Sequence, residues 1–303
     1  AWINKYLNNE NGTHKHDYVH MGDTDSVIST STVNVENEIK TIEQLLNQYG
    51  EDEFMSPYRS TIPLIELFFH NETEMNKIIP NYRSCNCSFE YETPVLRGKG
   101  KASCTDLMIY NNEQAFCIEA KRTEPEYENI IKWLKRGNFE NKKLVLSGWL
   151  ELINNKCGTN LTIDNISKMP YQLIHRFASV CKIGKNMKTE NVHLFYFFFD
   201  GNNESIISYK NWLLKLAEIT EHKINIKSFV FQITESECFR ELEQVWDTCS
   251  EKIDLTDDVI QAIIDGPCMK IERDELNLGE TSWKKISEED FFNALENEEA
   301  ENE

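Results

Sequence analysis

The sequence predicts an α/β fold, a mixed central sheet flanked by helices, with a helical and acidic annex at its C-terminal end. Three observations lead there. The hydrophobic patterns run in the order helix, three strands, helices, strand, helix, strand over roughly residues 60–233. One segment, Asn191 to Phe199 (NVHLFYFFF), is apolar along almost its whole length, the pattern of a strand covered on both faces. Gly98 to Glu124 reads as two short apolar strands joined by a tight turn at Asn111-Asn112.

Residues 1–34 pass into a Ser/Thr/Asn/Asp-rich stretch that is expected to be largely disordered. His14, His16 and His20 lie there without a cysteine or carboxylate framework and make no metal centre. Val35, Ile39, Ile42, Leu45 and Leu46 then mark an amphipathic helix closed by Gly50. A second helix is predicted from Thr61 to Lys77, with Pro63 in its first turn and Pro80 barring continuation. Its apolar residues, Ile62, Leu64, Ile65, Leu67, Phe68 and Phe69, wrap nearly the whole circumference, so it is an interior helix. Glu66 shares a face with Ile62 and Phe69, and is either a cation ligand or a rim acid paired with a base. Asn81 to Leu96 alternates as a strand and leads into the basic turn Arg97-Gly98-Lys99-Gly100-Lys101. Lys99 and Lys101 either touch a phosphate backbone or are solvated loop lysines.

The hairpin carries the chemistry. Its first strand holds one carboxylate, Asp106, among Cys104, Leu107, Met108 and Ile109. The second, Ala115 to Ile118, is apolar and then ends in Glu119-Ala120-Lys121. Alternation along a strand puts Glu119 and Lys121 on one side and Ala120 on the other. Two carboxylates from adjacent strands beside a lysine is the arrangement that a hard divalent cation and an activated water require. E-x-K triplets also occur at Glu38, Glu140 and Glu221, but only the copy at Glu119 ends an apolar strand and follows one bearing an aspartate.

Two amphipathic helical stretches follow, Glu126 to Arg136 and Lys142 to Ile153. The next helix is expected to start at Pro170 and end at Gly184. Ile174, Phe177, Ala178 and Cys181 form one of its faces, and Gln172, His175, Arg176 and Ser179 a polar stripe on another. After the apolar strand come a helix near Ser205 to Thr220 and a strand at Ser228 to Ile233. Phe239, Leu242, Val245 and Trp246 open the annex, residues 235–303, and Glu296 to Glu303 is an acidic, disordered end. The main domain is thus expected over residues 35–234.

Asp106, a hairpin and then Glu119-x-Lys121 resemble the core of the PD-(D/E)XK nuclease superfamily, with Thr105 where the proline would stand. The resemblance implies a restriction-endonuclease-like αβββαβ core and a Mg²⁺- or Mn²⁺-dependent phosphodiesterase. Asp106, Glu119 and the Ala120 carbonyl would hold metal, joined by Glu66, and Lys121 would serve the attacking water. Gln172 matches the glutamine of the Q-x-x-x-Y motif of RecB and lambda-exonuclease-like relatives, and Arg176 replaces its tyrosine. Gln172 would help position the strand, with His175, Arg176, Lys99 and Lys101 contacting nucleic acid. DNA is the expected substrate, ahead of RNA, and a homodimer is a further expectation. The alternative is a catalytically idle module of the same fold that binds nucleic acid or protein.

Charge and cysteine usage set the remaining bounds. The net charge of −19 is awkward for a partner of a polyanion, but residues 235–303 hold 22 acidic and 6 basic side chains, leaving a nearly neutral 29 and 26 for the rest. The acidic tail suits a basic protein partner, or an adaptor working through residues 235–303. Nine cysteines, some within apolar stretches, fit an intracellular reducing compartment, and their spacing is not that of an iron–sulfur site. No apolar run approaches the roughly eighteen residues of a membrane span, and no signal-peptide pattern opens the chain.

Overall fold

The structure, a computed structural model, describes residues 54, 58–124, 128–189, 191–200, 203–248 and 252–273. The expected disordered N-terminal segment, the helix at 35–49 and the acidic end lie outside these residues. A six-stranded mixed sheet in the order β1-β2-β3-β4-β5-β6 forms the centre: β1 (Asn86–Thr93), β2 (Ser103–Tyr110), β3 (Gln114–Lys121), β4 (Asn191–Phe199), β5 (Asn225–Glu235) and β6 (Met269–Arg273). The first three strands are antiparallel, β3, β4 and β5 run parallel, and β6 returns antiparallel on β5.

Helices cover both faces. One side carries α1 (Thr61–His70) and α2 (Glu72–Ile78), with α8 (Glu237–Thr248) and α9 (Lys252–Asp265). Its core joins Leu64, Leu67 and Phe68 to Leu107, Phe116, Ile118, Phe195, Phe197 and Phe231. The other side carries α3 (Ile130–Lys135), α4 (Phe139–Cys157), α5 (Ile163–Ile166), α6 (Tyr171–Met187) and α7 (Asn203–Ile219). There Leu146, Trp149, Ile153, Ile174 and Phe177 pack on Met108, Cys117, Leu194 and Tyr196. Each such fully buried side chain contributes about 1.5–3 kcal/mol. Among the described residues no helix is long and apolar enough to cross a membrane.

Several elements differ from the sequence expectation for local reasons. The helix predicted at Thr61 to Lys77 breaks at Asn71, whose side chain caps α2 by accepting from the Glu74 N–H and also donates to the Ile271 carbonyl. The strand predicted from Asn81 begins only at Asn86, after a 3₁₀ turn at Tyr82–Ser84. Helix α6 does not stop at Gly184. It continues to Met187 and closes at Lys188, in the left-handed conformation (φ 53°). Gly184 is instead a point of close approach, where an added Cβ would stand 2.8 Å from Val192 Cγ1. Beyond residue 234, β6 adds an edge strand that the sequence reading did not include, and Phe239, Val259, Ile263 and Ile271 share the α1-side core.

Two features aim α6 at the hairpin. The turn at Asn111 is closed by its own side chain, which accepts from the N–H groups of Glu113 and Gln114. The segment after β3 is tied to the start of α6 through Tyr171 N–H to the Glu128 carbonyl and Ile130 N–H to the Met169 carbonyl. Helix α6 then packs across β2, β3 and β4, its polar stripe facing the sheet.

Candidate active site

The β2–β3 ladder runs from Tyr110–Ala115 to Leu107–Ile118 and stops there. Past that point the Asp106 side chain does the pairing, its Oδ2 accepting the Ala120 N–H at 2.7 Å. Opposite Asp106 on β1, Glu90 has φ of 49°, a conformation uncommon for a side chain larger than glycine. The strand changes face at that residue: Phe89 belongs to the α1-side core, whereas Tyr91 packs against the α6-side core. Ser103, at the start of β2, also reaches the α6 side, where its Oγ meets Arg176, His175 and Ser179.

Glu119 lies at the bottom of the cluster, 1% exposed, and both of its oxygens are engaged. Oε1 accepts from Lys121 Nζ and from Gln172 Nε2, each at 2.8 Å, while Oε2 accepts from Arg176 Nε. The rest of the Arg176 fork reaches Ser103 Oγ at 2.9 Å and approaches Asp106 Oδ1 to 3.9 Å. Ser103 Oγ also meets His175 Nδ1 at 2.8 Å and Ser179 Oγ at 3.1 Å. Tyr196, beside Glu119 in the β3–β4 register, is fully buried, and among the described residues its hydroxyl has no hydrogen-bond partner. Gln172 Oε1 is likewise buried without a partner among the described residues. Asp106 forms the open end, with 21% of its side chain exposed.

The electrostatics divide the two acids. Burial, with the Glu119 charge beside it, raises the Asp106 carboxyl above the usual carboxylate range. Burial pushes Glu119 the same way, but Arg176 and Lys121 outweigh it and hold this carboxylate ionised, below its ordinary range. Burial, Arg176 and Lys121 hold His175 far below its ordinary value, so its ring is neutral. The cluster thus sets two acids beside two bases, and Glu119 is the acid that they hold ionised.

Asp106, Glu119, Lys121, Gln172, His175 and Arg176 thus converge with the Ala120 backbone, and Glu66, Lys99 and Lys101 do not. Glu66 is on α1, across the sheet, where its Oε1 accepts the Cys268 N–H at 3.0 Å and burial raises its carboxyl to about 7. Lys99 and Lys101 are exposed in the β1–β2 loop. Asn141 of α4 latches that loop, its side chain pairing with the N–H and carbonyl of Lys99 at 2.7 Å each. Ala120 gives the cluster its N–H, and its side chain belongs to the opposite core. Ser103, Ser179 and Tyr196 complete the site. Ser179 lies on the polar stripe of α6, while Ser103 and Tyr196 carry no signal in the sequence. Among the described residues no three His, Cys, Asp or Glu side chains gather as a metal-binding group.

This geometry occupies the middle of a family match over residues 37–238. The chain belongs to the DUF6946 family. Its description is a domain of unknown function, and the matched span holds every residue of the cluster. In DUF6946 terms, β6 and α9 lie beyond the matched residues. No curated protein and no solved structure matches the chain.

Proposed function

We propose that this DUF6946 protein is a metal-dependent nuclease of the PD-(D/E)XK superfamily, hydrolysing phosphodiester bonds of DNA. The observation that carries the reading is the convergence of Asp106, Glu119 and Lys121 from one hairpin with Gln172 from α6, at one end of one sheet face. The order α1, β1-β2-β3, α6, β4, with helices on both faces, supports a restriction-endonuclease-like core.

The donor set suits a hard cation. Asp106 and Glu119 supply carboxylate oxygens, and the orphaned Gln172 Oε1 is a neutral oxygen that a cation would satisfy. When bound, Mg²⁺ or Mn²⁺ would supply Lewis-acid stabilisation of the negative charge that grows on the phosphoryl oxygens. The chain's own groups do the rest. Lys121 Nζ orients the attacking water and screens the phosphate. Gln172 fixes the Glu119 rotamer through its 2.8 Å bond, and neutral His175 holds Ser103, which in turn accepts from Arg176.

The test is cleavage of labelled single- and double-stranded DNA and RNA with Mg²⁺, with Mn²⁺ and with EDTA. Wild type should cut in a metal-dependent way, and Asp106→Ala, Glu119→Ala and Lys121→Ala should each abolish cutting while still melting cooperatively. Full activity in any one of the three would remove that residue from the assignment. A second reading, an idle module that binds nucleic acid or protein, is favoured by one observation: Arg176 and Lys121 already neutralise both acids. Nucleic-acid binding without cleavage by wild type on any substrate would select it.

A further inference from the structure

The guanidinium of Arg176 lies between the two carboxylates that the proposed nuclease would use to hold its cation. It bonds Glu119 through Nε and faces Asp106 Oδ1 through Nη2 at 3.9 Å. Both Glu119 oxygens hold donors while this contact and those of Lys121 and Gln172 persist. A divalent ion entering this geometry would meet a carboxylate already paired on both oxygens and two positive charges in a setting shielded from water, where like-charge repulsion is strong. Arg176 also has somewhere else to bond. Its Nη1 already donates to Ser103 Oγ at 2.9 Å, so releasing Glu119 does not leave the guanidinium without a partner. Its planar fork is suited to bidentate pairing with a phosphate.

We propose that Arg176 is a built-in counter-cation that closes the carboxylate pair, so that a divalent ion loads only when Arg176 releases Glu119, a release that an incoming phosphate group favours. The inference rests on the cation-binding reading of Asp106 and Glu119. Arg176 is thus a positioning residue that couples cation loading to an anionic ligand. The coupling is reciprocal: whatever phosphate does for the cation, the cation does for phosphate.

Calorimetric titration of Mn²⁺ alone into the full chain tests it without any turnover. Wild type should bind weakly, and Arg176→Met, of similar length but without charge, about ten-fold more tightly or better. Arg176→Lys keeps one charge and loses the fork; it should fall between the two, and it serves if Arg176→Met fails to melt cooperatively. Equal Mn²⁺ affinity in wild type and in the folded variants would overturn the gate while leaving the cation site standing. Absence of Mn²⁺ binding in wild type and every folded variant would overturn the cation reading itself, and the gate with it.

Discussion

Asp106 and Glu119, which both face Arg176, should respond to loss of charge with opposite signs. Glu119 is 1% exposed and accepts from Lys121, Gln172 and Arg176. Glu119→Gln keeps the shape but leaves Arg176 and Lys121 facing a neutral amide. Removing one partner of a buried ion pair costs about 3–5 kcal/mol. At about 2–4 °C per kcal/mol for a domain of this size, the melting temperature should fall by about 10 °C at neutral pH. Because the Glu119 carboxylate is held below its ordinary range, the stability it contributes is present above the unfolded value of 4.5 and is lost as pH falls through the lower folded value. The gap between Glu119→Gln and wild type should therefore close in acid. Asp106 is the reverse case. Burial raises its carboxyl from 3.8 to about 7, so the folded state holds a proton that the unfolded chain has released, and stability falls as pH rises across that window. Asp106→Asn still accepts the Ala120 N–H and escapes that loss. With a fifth of the side chain in solvent, the gain at pH 8 should be on the order of 1–2 kcal/mol, and it should vanish below about pH 4. The assay is thermal unfolding by circular dichroism from pH 4 to pH 8. A Glu119→Gln variant melting within about 2 °C of wild type at pH 7, or an Asp106→Asn variant less stable than wild type at pH 8, would refute this division of roles.

Two further predictions lie away from the cluster. Burial raises Glu66 from 4.5 to about 7, so wild type should lose stability between those pH values, and Glu66→Gln, which keeps the bond from the Cys268 N–H, should flatten that loss. Chemical denaturation at pH 5 and pH 8 reads it, and a pH dependence unchanged from wild type would count against it. Gly184→Ala would place its Cβ 2.8 Å from Val192 Cγ1 in the α6–β4 contact, costing about 1–3 kcal/mol, and an unchanged denaturation midpoint would show that the contact yields.

What the sequence disclosed follows from periodicity. Asp106, Glu119 and Lys121 were legible because the period of two along β2 and β3 fixes which side chains share a face. Gln172, His175, Arg176 and Ser179 were legible because positions i, i+3, i+4 and i+7 share a helix face. Ser103 was hidden because strict alternation puts it, three residues before Asp106, on the opposite face, whereas its Oγ meets Arg176 and His175 on the α6 side. Tyr196 was hidden inside NVHLFYFFF, where only the register with Glu119, a long-range fact, distinguishes it from its neighbours. Glu66 was read as a cation ligand or a rim acid paired with a base, but it is buried and its partner is the N–H of Cys268, 202 residues along the chain. No local pattern says which face of the sheet a helix covers. The break at Asn71 turns on a contact with Ile271, which is equally remote in sequence.

Stability alone does not account for the cluster. On β3 the α6-facing side begins with Ala115 and Cys117 in a continuous apolar core and ends with Glu119 and Lys121, both buried. Taking such charges out of water carries a desolvation penalty of several kcal/mol per ion, and apolar residues of similar volume commonly serve as well or better. A structural ion pair would need one acid and one base. Glu119 with Arg176 already meets that need, and Lys121 adds a second base to the same carboxylate. Asp106 balances that second base only at a distance, its nearest approach to a cation among the described residues being 3.9 Å, to Arg176. Its N–H partner, Ala120, could be satisfied by a neutral asparagine, and its own ionisation is disfavoured in the fold. A carboxyl group that raises the free energy of the native state, kept at the open end of the cluster, is what the proposed cation-binding role would explain.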